Sequence, residues 1–231
     1  MPKSPRFPPR PHRIEILAFP GVQLLDVAGP LQVFATANVI ATRSGSTAPY
    51  DLQVVAPKGA PVTTSAGLGL ITAPLPRKPL ALDTLLVAGG AGVREAATDK
   101  ALVKWVQGRA AQARRVASVC TGAFLLGAAG LLDGRRAVTH WTECKELARR
   151  FPAARVEPDP IFVQDGAVWS SAGITAGIDL ALALVEQDIG RETALAVARH
   201  LVVFLKRPGG QAQFSAALSL QSAEDRFGAL H

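Results

Sequence analysis

The strongest constraint on this chain is an alternation. Short aliphatic runs, each closed by Gly or Pro, take turns with longer segments of helical spacing. "RIEILAF" (13–19) stops at Pro20-Gly21, "YDLQVVAP" (50–57) at its own proline, and "DTLLVAGGAG" (83–92) in a glycine-rich turn. Val116 and Val119 lead to Cys120, and "RRAVTHW" (135–141) reads as a strand ending at His140. Between them, "VQLLDVAGPLQVFATANVIA" (22–41) is helical, with Gly29-Pro30 expected to interrupt and restart it, and "DKALVKWVQGRAAQA" (99–113) is an amphipathic helix. "PVTTSAGLGLITA" reads as a short hairpin or irregular excursion and "IFVQDGAVWSSAG" (161–173) as a hairpin over Asp165-Gly166; "TAGIDLALALVEQDIG" and "RETALAVARHLVVFLK" are two further helices. Such an order predicts an α/β fold: a mainly parallel sheet with helices on both faces, plus C-terminal helices.

Ligands and catalytic groups of such sheets gather at the carboxyl ends of the strands. Gly89-Gly90, Cys120 and His140 all fall on that edge. The run Ser118-Val119-Cys120-Thr121-Gly122 has the mechanics of a nucleophile elbow, a sharp strand-to-helix turn flanked by small residues. A helix starting after Cys120 would aim its amides at the thiol and favour thiolate, and the N–H groups of Thr121 and Gly90 would form an oxyanion hole. The alternative is a buried cysteine used as a small hydrophobe. His140 is a candidate base, a neighbour holding Cys120 as thiolate, or a hydrogen-bonded structural histidine. Asp26, apolar on both sides, is either a helix cap or a site acid bonded to the thiol. Cys144 follows His140 by four residues, but zinc would need two further ligands that the sequence does not offer, so Cys144 reads as structural and no metal or cofactor is expected.

Composition narrows the class. With 48% hydrophobic and 19% charged residues in 231, there is ample material for a core. Two cysteines in such a length do not form a secreted disulfide framework, no signal-peptide pattern opens the chain, and no apolar run stands out as membrane-spanning. A soluble cytoplasmic protein without membrane partners is expected. The net charge is +7, but Lys3, Arg6, Arg10 and Arg13 place four of those charges in "MPKSPRFPPRPHR", where five prolines forbid regular helix. Residues 1–12 therefore read as a disordered, basic arm, and the remainder is too weakly charged to argue for DNA binding.

Four blocks, "FPGVQLLDVAGPLQVF", "LLVAGGAG", "ASVCTGAFLLGAAGLLDGRRAVTHW" and "SSAGITAGIDLALALVEQD", resemble the ThiJ/PfpI, class I glutamine amidotransferase-like superfamily over about residues 13–190. The resemblance implies a flavodoxin-like three-layer sandwich, a homodimer, and an elbow cysteine near a carboxylate, here Cys120 and Asp26. His140 joins them as catalytic-like, with Gly89, Gly90, Thr121 and Gly122 around the ligand. Two branches share these blocks. In isonitrile hydratases, which add water to an isocyanide carbon, the Asp, Cys and Thr would fall on Asp26, Cys120 and Thr121. The other branch is the sensory half of AraC-type regulators of the GlxA kind, and "RPGGQAQFS" (207–215) resembles the segment joining that half to the helix-turn-helix region. The expected organisation is the arm, the domain at 13–190, and C-terminal helices (191–231) leading to a DNA-binding domain beyond His231. The expected partner is then an unidentified small effector, with DNA contacted only through that further domain. A stand-alone cysteine enzyme and a redox sensor remain alternatives. A glutaminase is disfavoured, because no His-x-Glu follows late in the chain.

Overall fold

The computed structural model describes residues 10–59, 61–77, 81–203 and 207–213. Its strands are β1 (His12–Leu17), β2 (Tyr50–Ala56), β3 (Val62–Thr63), β4 (Gly69–Leu70), β5 (Ala73–Pro74), β6 (Leu82–Val87), β7 (Ala113–Val119), β8 (Arg136–Ala137), β9 (Arg155–Val156), β10 (Phe162–Asp165) and β11 (Val168–Ser171). Its helices are α1 (Leu24–Arg43), α2 (Val93–Ala96), α3 (Lys100–Ala110), α4 (Gly122–Ala128), α5 (Cys144–Arg150), α6 (Ala176–Ile189) and α7 (Arg191–His200). Seven strands form one sheet in the order β10-β11-β7-β6-β1-β2-β5. Among the described residues of this sheet only the β10–β11 pair is antiparallel. Helices α1, α6 and α7 pack on one another, and α4 packs on both α2 and α3, giving the three layers of a flavodoxin-like α/β sandwich.

The central strands are covered on both faces, which is why they read as unbroken aliphatic runs: Ile14, Ile16 and Leu17 in β1, Leu85 to Val87 in β6, and Val116, Ala117 and Val119 in β7 are buried. Register aligns their ends. Leu17 lies opposite Val87, Val87 opposite Ser118, and Val119 opposite Ser171. The loops that follow β1, β6, β7 and β11 therefore open on one edge.

Three expectations are corrected. The Gly29-Pro30 pair does not interrupt its helix; α1 runs unbroken with Pro30 inside it. Both residues are buried against α6, where an added Cβ on Gly29 would sit 3.1 Å from Ile178 and one on Gly177 would meet Pro30. Close helix contact outweighs the one hydrogen bond lost at proline. Second, α1 spans 20 residues and is apolar enough to cross a membrane by length and composition. It is instead packed against α6 and α7, which accounts for its apolar length. Third, the strand expected before His140 is the two-residue β8, which pairs with β9 outside the main sheet. The second C-terminal helix is also shorter than its apolar pattern, ending at His200. The arm up to residue 9 and the pattern from 214 to 231 lie outside the described residues.

One charge sits at the sheet's centre. Glu15, fully buried in β1, accepts a bidentate pair from Arg109 of α3 (2.7 Å from Nε, 2.6 Å from Nη2) and a third bond from Arg13 Nε at 3.0 Å. At the amino ends of the strands, Arg115 and Arg114 both close on Asp188, and Tyr50 adds its hydroxyl. Asp83, with His12 and Arg114 as partners, is held well below the usual carboxylate range despite the opposing cost of its burial.

Candidate functional site: the pocket over Cys120

Cys120 follows β7 with φ +55°, a left-handed conformation rare for a residue with a side chain. The surroundings hold it there. Its N–H donates to Ser171 O (3.0 Å), and its carbonyl accepts from Thr139 Oγ1 (2.8 Å). The turn is as sharp as the small flanking residues suggest: a Cβ on Gly122 would come 2.3 Å from Val87 O. Helix α4 then starts directly behind the sulfur.

Asp26 reaches the same point from the first turn of α1. Its fully buried carboxylate accepts from Gly89 N (3.0 Å) and Ile174 N (3.2 Å) and hydrogen-bonds the Cys120 thiol. Burial lifts its pKa to about 6, against the lowering effect of the three donors. Burial, and then the Asp26 charge, push Cys120 up to about 12; the Thr121 amide and hydroxyl oppose this without cancelling it. At neutral pH the site is thus a thiol donating to a carboxylate, the reverse of what a helix start alone would produce.

The oxyanion hole is half taken. Gly90 N–H already donates to Thr121 Oγ1 at 2.9 Å, leaving the Thr121 amide beside the sulfur. Gly89 permits this crowding: a Cβ there would lie 2.6 Å from Thr121 N and 2.8 Å from Asp26 Oδ2. His140 is brought to the pocket by the turn after β8 rather than by a sheet strand. It lies across Gly173 from Cys120; a Cβ on Gly173 would come within 2.4 Å of the imidazole and 3.0 Å of the sulfur. Its Nδ1 is engaged by Thr142, at 2.8 Å from the hydroxyl. Burial lowers its pKa, with Glu143 opposing. The structure places it beside Cys120 but gives it a capping role on the 3-10 turn Trp141–Glu143.

Gly90, Cys120, Thr121 and His140 line a cavity of about 310 Å³ together with Gln23, Val93, Phe124 and Ile174, with Arg94 and Glu143 facing each other at 3.4 Å; Asp26 is fully buried, and it, Gly89 and Gly122 lie outside the lining. Ile174, with φ +60°, is a second strained residue and was not singled out in the sequence. A β-branched residue after Gly173 carries no local mark of a turn, so only the structure exposes it. Cys144 is buried away from the lining, its Sγ 3.5 Å from His140 O. Among the described residues, no three His, Cys, Asp or Glu side chains group as metal ligands.

The sequence and the fold of this chain match known proteins. The DJ-1/PfpI family matches residues 12–187. The chain belongs to that family. It is 40% identical to the isonitrile hydratase of Pseudomonas putida, over 82% of this chain and 77% of the relative. It is 28% identical to the HTH-type transcriptional regulator GlxA of Rhizobium meliloti, over 95% of this chain but 64% of the regulator. A ThiJ/PfpI family protein from Pseudomonas syringae superposes with a TM-score of 0.75 at 31% identity, covering 86% of this chain and 78% of the other. Further HTH-type regulators from Pseudomonas aeruginosa and Mycobacterium tuberculosis also match, and the chain spans about half or less of their length. The DJ-1/PfpI fold, with regulator and hydratase relatives, is thereby established for this chain.

The raised pKa of Asp26 has a consequence for stability. A carboxylate whose pKa climbs on folding stabilises most below its unfolded value of 3.8, and that contribution is lost as pH rises through about 6. Asp26→Asn removes the titration. Its stability relative to the parent is expected to improve by up to about 3 kcal/mol between pH 4 and pH 7.5. Urea unfolding of the pair at both pH values measures it, and a pH-independent difference would mean that Asp26 titrates normally.

Proposed function

We propose that this chain is the sensory part of an AraC-type transcriptional regulator, acting in the cytoplasm as a homodimer. A small effector enters the pocket over Cys120, and DNA is contacted by a helix-turn-helix domain outside these 231 residues. The observation that carries the reading is the state of the elbow. Cys120 is buried beside Asp26, and burial and that carboxylate raise its pKa, which suits a recognition floor better than a free nucleophile. The GlxA relative, longer than this chain by about a third of its own length, supports the same assignment, as does the RPGGQ-x-Q motif at 207–213.

The Asp26–Cys120 pair also favours a second reading, a hydratase. Adding water to an isocyanide, R–NC + H2O giving R–NH–CHO, needs a proton delivered to carbon and one taken from the attacking water. A thiol and a carboxylate sharing a proton meet both needs. Incubation with cyclohexyl isocyanide separates the two readings. The sensory reading expects no formamide above the level of Cys120→Ser, and no sequence preference in a gel shift with these residues alone. Formamide production that Cys120→Ser abolishes transfers the assignment to the enzyme.

A further inference from the structure

Residues 207–213 are docked on the domain at three places. Arg207 closes on the first turn of α6: its N–H donates to Asp179 Oδ1 (3.0 Å), and its Nε and Nη2 to Oδ2 (3.0 and 2.7 Å). Gly209 O accepts from Ile161 N (3.0 Å) at the head of β10, where Gln211 O also approaches at 2.9 Å. A Cβ on Gly209 would lie 2.7 Å from Phe162 O, so only glycine fits. Gln213 N donates to Asp159 O (2.7 Å), and its side-chain amide donates to Thr139 O (2.9 Å) and Pro158 O (3.0 Å).

Both ends of this segment stop one residue short of the pocket. Thr139, held by Gln213, donates its hydroxyl to the Cys120 carbonyl at 2.8 Å. Thr175, 3.5 Å from Arg207 Nη2, follows Ile174, whose strained amide donates to Asp26. We propose that residues 207–213 form a strap that positions the Asp26–Cys120 pair and couples occupancy of the pocket to the chain beyond residue 213. Arg207 and Gln213 are its positioning residues. The signalling half rests on the sensory reading above; the positioning half does not. Coupling is reciprocal: if docking the strap fixes the donors around Asp26, a ligand that moves those donors must change docking by the same factor.

The test is the titration of the Asp26 side-chain carbon by NMR in the ligand-free protein, where Cys120 is the titratable side chain hydrogen-bonded to it. Arg207→Ala and Gly209→Ala both undock the strap, and Gly209→Ala does so without changing any charge. Loosening the Ile174 donor removes a lowering influence, so the midpoint is expected to rise from about 6 by about half a unit or more in both variants. Arg207→Lys is expected to return the midpoint most of the way to that of the parent. Asp99→Ala, which removes the α3 cap remote from the strap, lowers stability without moving the midpoint. Exchange of the Ile161 amide reports whether the strap is off. A lost Ile161 bond with an unmoved Asp26 midpoint in both variants reduces the strap to a cover for the sheet edge and overturns the proposal. Because no ligand is involved, that failure is separate from any failure to find an effector.

Discussion

Asp26→Asn is expected to make Cys120 react faster with iodoacetamide, on the order of tenfold at pH 7.5. Intuition from activated cysteines points the other way, because removing a site acid from them usually slows the thiol. Here the carboxylate is a negative charge beside a buried sulfur, and it raises the cost of forming thiolate. With Cys120 pushed up to about 12, thiolate at neutral pH is on the order of a thousandfold scarcer than in an ordinary cysteine of pKa about 8.5. Alkylation of the parent protein should be correspondingly slow, and the Asp26→Asn variant should relieve the electrostatic part while burial keeps the rest. Mass spectrometry of the Cys120 peptide reads the rate without interference from Cys144. A parent protein whose Cys120 alkylates as fast as an exposed thiol would show a pocket that stabilises thiolate, and the nucleophilic enzyme would then displace the sensor.

Glu15→Ala is expected to lower stability by about 3–5 kcal/mol, which threatens folding altogether. The carboxylate lies in the middle of the sheet, and its loss takes the bidentate counter-charge from Arg109, whose side chain is 3% exposed, in a layer where water cannot replace the bonds. The pair as a whole adds little net stability over an apolar pair; the damage comes from removing one charge and keeping the other. Urea unfolding measures the loss. The double variant Glu15→Leu/Arg109→Met is expected to recover a large part of it, because both charges leave together. A single variant as stable as the parent would mean that Arg109 finds solvent by moving α3.

Neither Glu15 nor its partner was legible in the chain. "RIEILAF" shows an acid among aliphatic residues, but whether it faces water or a guanidinium 94 positions away depends on which helix covers that face of β1. The same limit explains Pro30. Local propensity expects a break there, and contact with Gly177 and Ile178, almost 150 residues on, removes it. The strand before His140 differs in another way: "RRAVTHW" reads as a strand of its own, yet only Arg136–Ala137 pair, with β9, and the turn after them delivers the imidazole.

What the sequence determined by itself was the architecture and the address of the site. Short aliphatic runs alternating with helical segments indicate central parallel strands, and parallel strands bring their carboxyl ends, with Gly89, Gly90 and Cys120, to one edge. Small residues around Cys120 announced a sharp turn because nothing larger fits against Val87 O. What only the tertiary structure decided was the chemistry of that address. A cysteine at a helix start tends toward thiolate, and a cysteine buried beside a carboxylate tends away from it. The second influence prevails here because Asp26 arrives from another helix and both side chains are buried, and both depend on how distant segments pack.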